Sequence, residues 1–288
     1  MIILDGRNLS QKISKNLSKE IATFKKVPVL AIVQVGSKEQ SNLYIGKKKE
    51  FAESIGVTAE HIILPEDLSQ KDIESKLSEL NRDPDCHGII IQLPMPPHLN
   101  FGDLIESIDP KKDVDGLGPK NIKNLWQGNS GGIIPATARG ILELLEEHKI
   151  TLSGKKVVII NRSILVGRPL ALAVLNKDAT VSICHSKTPP DRLKAEIQSA
   201  DIVIPAVGHP KIFGSEFFKE GQVIVDVGIS YLGEKIPEES GSLKISGDVD
   251  FENVSKIVKA ISPVPGGVGP MTVAALFENL LDAYRLQQ

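Results

Sequence analysis

Lys156-Val157-Val158-Ile159-Ile160-Asn161-Arg162-Ser163-Ile164-Leu165-Val166-Gly167-Arg168-Pro169-Leu170 is the stretch that decides the fold. A run of β-branched residues ends in a polar loop, and a helical pattern over Val166–Leu175 follows at once. Strand, loop and helix in that order form the repeating unit of parallel sheets covered on both faces. The alternation continues downstream: Thr180–Cys184, Ile202–Val207 and Val223–Val227 read as strands, and Arg192–Gln198 as a helix. Upstream, Val29–Val35, Thr58–Leu64 and Gly88–Leu93 read as buried strands, with helices over Glu39–Ile55 and Gln70–Leu80 between them. The two series are separated by Pro110 to Pro135, rich in Gly, Asn, Lys and Asp and weakly periodic. A boundary is expected near residues 136–150, bridged by a helix over Thr137–His148. The expectation is an α/β chain of two domains, the second a doubly wound parallel sheet of dinucleotide-binding type.

Composition narrows the function. The 288 residues suffice for one large domain or two medium ones, and 41% apolar with 24% charged residues is ordinary for a soluble protein. A net charge of −2 gives no bulk attraction to nucleic acid or an anionic membrane, and 4% aromatics disfavours a stacking platform for single strands. Cys86 and Cys184 are expected as reduced thiols. The opening Met1-Ile2-Ile3-Leu4-Asp5 lacks the pattern of a signal peptide, so a soluble, cytoplasmic protein is expected.

On the helix Glu39–Ile55, a period of 3.6 residues places Tyr44, Lys48, Phe51, Ala52 and Ile55 on one stripe, with Lys47 and Lys49 to either side. Lys48 thus sits where the helix faces inward. Either its alkyl stem snorkels along the surface, or its amine is desolvated, acquires a lowered pKa and serves as a proton acceptor or nucleophile. Tyr44, one turn away, presents a ring to the same place. Gln92 is the single polar residue at the C-terminal end of the strand that Pro94 terminates, where open α/β sheets hold ligands. It bonds either a lysine amine, a heterocyclic amide or the loop backbone. Asp113 and Asp115 in Lys112-Asp113-Val114-Asp115-Gly116 lack the oxygen-rich companions that a hard metal requires. A carboxylate suited to an aminopyrimidine-like group fits better. No histidine spacing suggests zinc, and no metal is expected.

In the second half, Arg162 and Ser163 follow the strand at the turn where a dinucleotide phosphate docks, and only Gly167 remains of a glycine motif. The next strand ends at Cys184-His185-Ser186-Lys187-Thr188, with no acid for ribose hydroxyls: either a solvated basic loop or a turn that favours NADP over NAD. His185 and His209 read as loop residues. Near the C-terminus, Pro263-Val264-Pro265-Gly266-Gly267-Val268-Gly269-Pro270 forms a side-chain-poor loop before a helix from Met271 to about Arg285. Such a loop is either a tight turn between strand and helix or a place where backbone approaches a ligand closely.

Together these segments resemble the bifunctional methylenetetrahydrofolate dehydrogenase/methenyltetrahydrofolate cyclohydrolase family along essentially the whole chain. The carrying residues are Ser41-Asn42-Leu43-Tyr44 to Lys48, Gln92-Leu93-Pro94, Lys112 to Gly116, Arg162-Ser163 to Gly167, Cys184 to Thr188, and Pro263 to Thr272. The resemblance implies two α/β domains flanking a cleft, the second Rossmann-like. Residues 1–138 would form a folate-binding catalytic domain joined by the C-terminal helix 270–288, and residues 139–269 an NADP-binding domain. It implies oxidation of 5,10-methylenetetrahydrofolate with NADP+, then hydrolysis to 10-formyltetrahydrofolate, in one-carbon metabolism and purine biosynthesis. Lys48 matches the catalytic lysine, Gln92 the glutamine that tunes it towards the neutral amine, Tyr44 the folate-stacking tyrosine and Asp115 the pterin-holding carboxylate. Leu93, Pro265, Gly266 and Gly267 would line the folate site. Asn161, Arg162, Ser163, Gly167, Ser186 and Ile229 would meet NADP. Tetrahydrofolate derivatives are the expected partners, with neither nucleic acid nor membrane, and a homodimer is implied. Asn161 stands where the family usually has glycine, Ala136 and Ala138 replace its usual cysteine and proline, and Ser230 replaces its asparagine. Two rivals are another two-domain NAD(P)-dependent dehydrogenase and a non-catalytic folate- or nucleotide-binding relative. The first explains neither Gln92-Leu93-Pro94 nor Asp115; the second must explain why Lys48, Gln92 and Asp115 are intact.

Overall fold

The structure, a computed structural model, describes residues 1–37, 39–129, 131–235 and 243–288. In chain order the first half runs β1 (Ile2–Ile3), α1 (Gly6–Ile21), β2 (Val29–Val35), α2 (Glu39–Ile55), β3 (Thr58–Leu64), α3 (Gln70–Arg82), β4 (Gly88–Gln92), α4 (Phe101–Glu106) and α5 (Pro119–Trp126). The second half runs α6 (Ala136–Glu147), β5 (Lys156–Ile160), α7 (Gly167–Leu175), β6 (Thr180–Cys184), α8 (Pro190–Ser199), β7 (Ile202–Pro205), β8 (Val223–Ile224), β9 (Ser230–Lys235), β10 (Leu243–Ser246), α9 (Phe251–Val254), β11 (Ala260–Ile261) and α10 (Val268–Leu286).

The chain divides into two compact units. One comprises Gln11–Ala136 and Val273–Gln288; the other comprises Met1–Ser10 and Thr137–Thr272. The first is called the lysine unit here and the second the sheet unit.

In the lysine unit, β3, β2 and β4 pair in that order, all parallel, with β2 in the centre. Side chains alternate across a strand, so β2 feeds two cores. Leu30 and Ile32 pack with Ile45, Ala52 and Ile55 of α2 and with Phe277, Leu280 and Leu281 of α10. Ala31, Val33 and Val35 pack with Ile73, Leu77 and Leu80 of α3 and with Leu104 and Ile105 of α4. A strand buried on both faces must be apolar throughout, and β2 is so except at Gln34. Helix α3 opens with a reciprocal capping box between Ser69 and Asp72, a device worth about 1 kcal/mol.

In the sheet unit, six parallel strands run in the order β1-β11-β8-β7-β5-β6. Chain order departs in both directions from β5, with β6 on one side and β7 on the other. The sheet is therefore doubly wound, and its switch point lies between β5 and β7. Val158, Ile160, Val203, Ile224 and Ile261 carry one core, with Ile197 and Val254 among the residues packed on it. The strand expected over Val223–Val227 ends at Ile224. On the β11 side the ladder stops at Asp226, whose N–H donates to Ser262 Oγ at 2.8 Å, while the N–H groups of Val225 and Val227 still donate to Val203 O and Pro205 O. The antiparallel pair β9–β10 and helix α1 belong to the structure but not to the sequence-based expectation.

Candidate functional site

Helix α2 turns its apolar stripe to the sheet as its spacing demands. Ala52 and Ile55 are buried, Tyr44, Lys48 and Phe51 half-buried, and Lys47 and Lys49 exposed. Opposite Lys48 stands the C-terminal end of β4, where Gln92 is in register with Gln34 of β2. Lys48 Nζ donates to Gln92 Oε1 at 2.9 Å. The other end of that amide donates from Nε2 to Leu93 O at 2.7 Å. Two of the three readings open for Gln92 thus hold together: the loop carbonyl takes its NH2, and that anchoring turns its oxygen to the lysine. Ser41 Oγ of α2 also donates to Leu93 O, at 3.4 Å.

Burial lowers the Lys48 pKa below its ordinary value of 10.5, and the negative charge of Asp115 opposes the fall without cancelling it. Burial likewise pushes the Asp115 carboxyl up, against the pull of Lys48 and with that of Asp113. An acceptor oxygen on Nζ favours the ammonium form. Gln92 meets the amine with an acceptor oxygen, and desolvation is what lowers the lysine's pKa. Tyr44 precedes Lys48 by one turn, and the Lys47 ammonium lies 6.0 Å from its ring centroid, at the outer limit of a cation–π contact.

The two carboxylates at spacing two part company. Asp113 accepts from the N–H groups of Gly116 (3.0 Å), Leu117 (3.4 Å) and Gly118 (2.7 Å) and from Asn121 Nδ2 (2.8 Å). It ties the loop into a closed turn. Asp115 is left to act on Lys48. Gly116 sits at φ +70°, and a Cβ there would lie 2.8 Å from Ile133 O and Pro135 N, so the turn packs against the next segment only with glycine. Ala136 is buried in this unit's core, and its N–H donates to Asp115 O at 3.3 Å. Among the described residues, no group of three or more His, Cys, Asp or Glu side chains could hold a metal ion, and no helix is long and apolar enough to cross a membrane.

The residues expected at the cofactor lie in the sheet unit. Asn161 follows β5 at the switch point. Its Oδ1 accepts from the N–H groups of Ser163 (2.7 Å) and Gly167 (3.1 Å), and its Nδ2 donates to Ala206 O beyond β7 at 2.5 Å. Asparagine's tolerance of left-handed backbone is not what this position uses. The non-glycine residues with positive φ among those described are Lys149, Asp178 and Lys211. The Asn161 side chain instead laces the turn across the switch point. A Cβ on Gly167 would collide with Asn161 O, so the start of α7 lies directly against the strand end. Arg162 and Ser186 are exposed and Ser163 is half-buried. No acid lies between Cys184 and Pro190, a donor set that fits a phosphorylated ribose.

Gly266 and Gly267 pack on the start of α1, where Arg7 N donates to Gly266 O at 2.9 Å and a Cβ on Gly6 would collide with Gly267 O. Pro265 is exposed, and an ideal Cβ on Gly269 would lie 4.0 Å from Ile229 Cδ1. Ser230 Oγ is buried with no hydrogen-bond partner among the described residues. The structure thus groups Tyr44, Lys48, Gln92, Leu93 and Asp115 in the lysine unit, and Asn161, Arg162, Ser163, Gly167, Ser186, Ile229 and Pro265–Gly267 in the sheet unit. Gln34, which sequence reasoning passed over, is buried beside this site and bonded to His61 Nε2 at 2.7 Å. Its signal was available: it interrupts its strand as Gln92 interrupts the next.

A doubly wound sheet with a basic, acid-free turn, in one chain with a parallel unit carrying a lysine of lowered pKa, defines a dinucleotide-dependent α/β enzyme class. Two family models match, the tetrahydrofolate dehydrogenase/cyclohydrolase catalytic domain over residues 4–115 and its NAD(P)-binding domain over residues 135–288. The bifunctional protein FolD of Sulfurihydrogenibium sp. is 42% identical over 290 residues, covering 99% of this chain and 98% of that protein. A solved FolD methylenetetrahydrofolate dehydrogenase/cyclohydrolase from Campylobacter jejuni has a TM-score of 0.93 at 40% identity, covering 100% of each chain. The Trypanosoma brucei enzyme, complexed with NADP cofactor and inhibitor, has a TM-score of 0.92 at 33% identity, covering 99% of this chain and 98% of that one. The chain belongs to the tetrahydrofolate dehydrogenase/cyclohydrolase family.

Proposed function

We propose that this protein oxidises 5,10-methylenetetrahydrofolate to 5,10-methenyltetrahydrofolate with NADP+ and hydrolyses the product to 10-formyltetrahydrofolate. The observation that carries the reading is the Lys48–Gln92 hydrogen bond beside Asp115, with the amine pKa lowered by burial.

NADP+ supplies the hydride acceptor when bound. Arg162, Ser163 and Ser186 would hold its ribose phosphate, while Asn161 and Gly167 shape the turn and Ile229 borders it. In the hydrolytic step, water adds to the methenyl carbon, the C–N bond to the ring nitrogen breaks, and a proton is released. Lys48 in its amine form takes up a proton from the attacking water. Gln92 aims the amine, Asp115 holds the pterin, Tyr44 stacks on it and the Leu93 carbonyl fixes Gln92. Pro265, Gly266 and Gly267 would offer backbone to the folate. A cytoplasmic homodimer feeding one-carbon units to purine biosynthesis is the setting that suits this chemistry. The catalytic and cofactor roles divide as residues 1–138 with helix 270–288, and residues 139–269.

Lys48→Met is the test. Hydrolysis of methenyltetrahydrofolate should fall by roughly 100-fold or more, the scale of a lost general base, while folate binding persists. Unchanged hydrolysis would remove Lys48 from the reaction. Running the dehydrogenase assay with NADP+ and then NAD+ tests the cofactor assignment.

A further inference from the structure

Asn279 lies in the interior of α10 with no exposed surface, between Phe277 and Leu280. Asparagine is a poor helix former, and a buried amide must find partners. Asn279 finds them in two distant segments: its Nδ2 donates to Val114 O at 2.8 Å and to Ile134 O at 2.9 Å. Val114 immediately precedes Asp115, and Ile134 belongs to the segment on which the Asp115–Gly116 turn packs. One NH2 group therefore joins both walls of the turn, while Asp113 closes it from within. Leucine has the size but no donors, and aspartate lacks the NH2.

We propose that Asn279 is a positioning residue for the folate site: by gripping the carbonyls of Val114 and Ile134 it sets where Asp115 presents its carboxylate to Lys48 and to substrate. This rests on the roles given above to Asp115 and Lys48. Among the described residues, the charge that shifts Lys48 is Asp115, and those that shift Asp115 are Lys48 and Asp113; Lys47 and Lys49 flank Lys48 on α2 and are exposed. Because Asp115 holds the Lys48 pKa up against burial, releasing Asp115 lets that pKa fall further.

The experiment compares Asn279→Ser, Asp115→Asn and the double variant. It records the pH–rate profile of hydrolysis, the KM for methylenetetrahydrofolate and the melting temperature of each. Asn279→Ser should raise KM about tenfold, the equivalent of one lost contact, and move the ascending limb of the profile to lower pH. In the Asp115→Asn background it should add nothing to either. Should the serine variant not fold, Asn279→Gln, which keeps the amide but displaces it by a methylene, should move KM and limb in the same directions. A lowered melting temperature with KM and limb unmoved, or effects that add fully to those of Asp115→Asn, would overturn the proposal while leaving the site intact. If Asp115→Asn itself moves neither quantity, the reading of the site falls and this inference with it.

Discussion

Two pairs of charged groups, one in each unit, are built on opposite plans. Lys48 and Asp115 have opposite charge and are half-buried, and Lys48 is held by a side-chain amide at the end of a strand. Asp226 and Asp248 have the same charge and are 3% and 0% exposed. Backbone N–H groups hold them: Gly228, Asp248 and Val249 donate to Asp226, and Val207 and His209 donate to Asp248. A Cβ on Gly228 would collide with Asp248, and one on Gly247 with Asp226. The like-charged pair is a brace. It staples the ends of β7, β8 and β10 and has no surface for a ligand. The opposite-charged pair is only partly covered.

The difference has consequences for titration. Burial and the neighbouring Asp248 push the Asp226 carboxyl up to about 7 from an ordinary 3.8. The folded protein thus binds more protons than the unfolded chain between those values, so stability is full below about 4 and is lost as pH rises towards and through 7. The loss amounts to about 4 kcal/mol at most. Urea unfolding from pH 4 to 8 should show the decline, and Asp226→Asn should flatten it; a variant that keeps the wild-type slope would show that Asp226 is not its source. On the other pair, Asp115→Ala should raise the folate KM by roughly 10- to 100-fold, the loss of one charge-assisted contact. Steady-state kinetics with an unchanged KM would deny Asp115 its contact. The smallest effect concerns the helix bearing Lys48. Gly46 lies in the middle of α2 with nothing within 4 Å of where a Cβ would stand. Gly46→Ala should stabilise the protein by about 0.5–1 kcal/mol, read as a raised melting temperature with both activities kept. A lowered melting temperature would mean that the position is not free.

The parallel architecture and the inward placement of Lys48 were legible because periodicity reports burial directly. Helix α1, outside the sequence-based expectation, carries the same signal in Leu9, Ile13, Leu17 and Ile21 at four-residue spacing. Two-residue strands such as β1 and β11 carry too few positions for any period to register. The orientation of Gln92 depends on the Leu93 carbonyl, and the grip of Asn279 on pairs 165 and 145 residues apart; neither leaves a local trace. What sequence does offer is the anomaly itself. A polar residue within an apolar stripe singled out Lys48, and the same test applied to α10 and β2 yields Asn279 and Gln34.

The account stands on the protonation of one amine. Its most direct test is an NMR titration of the Lys48 ε-amine in the folded protein, assigned by its loss in Lys48→Met. The account predicts a pKa clearly below 10.5 that falls further in Asp115→Asn. A value at or above 10.5, unmoved by Asp115→Asn, would contradict it.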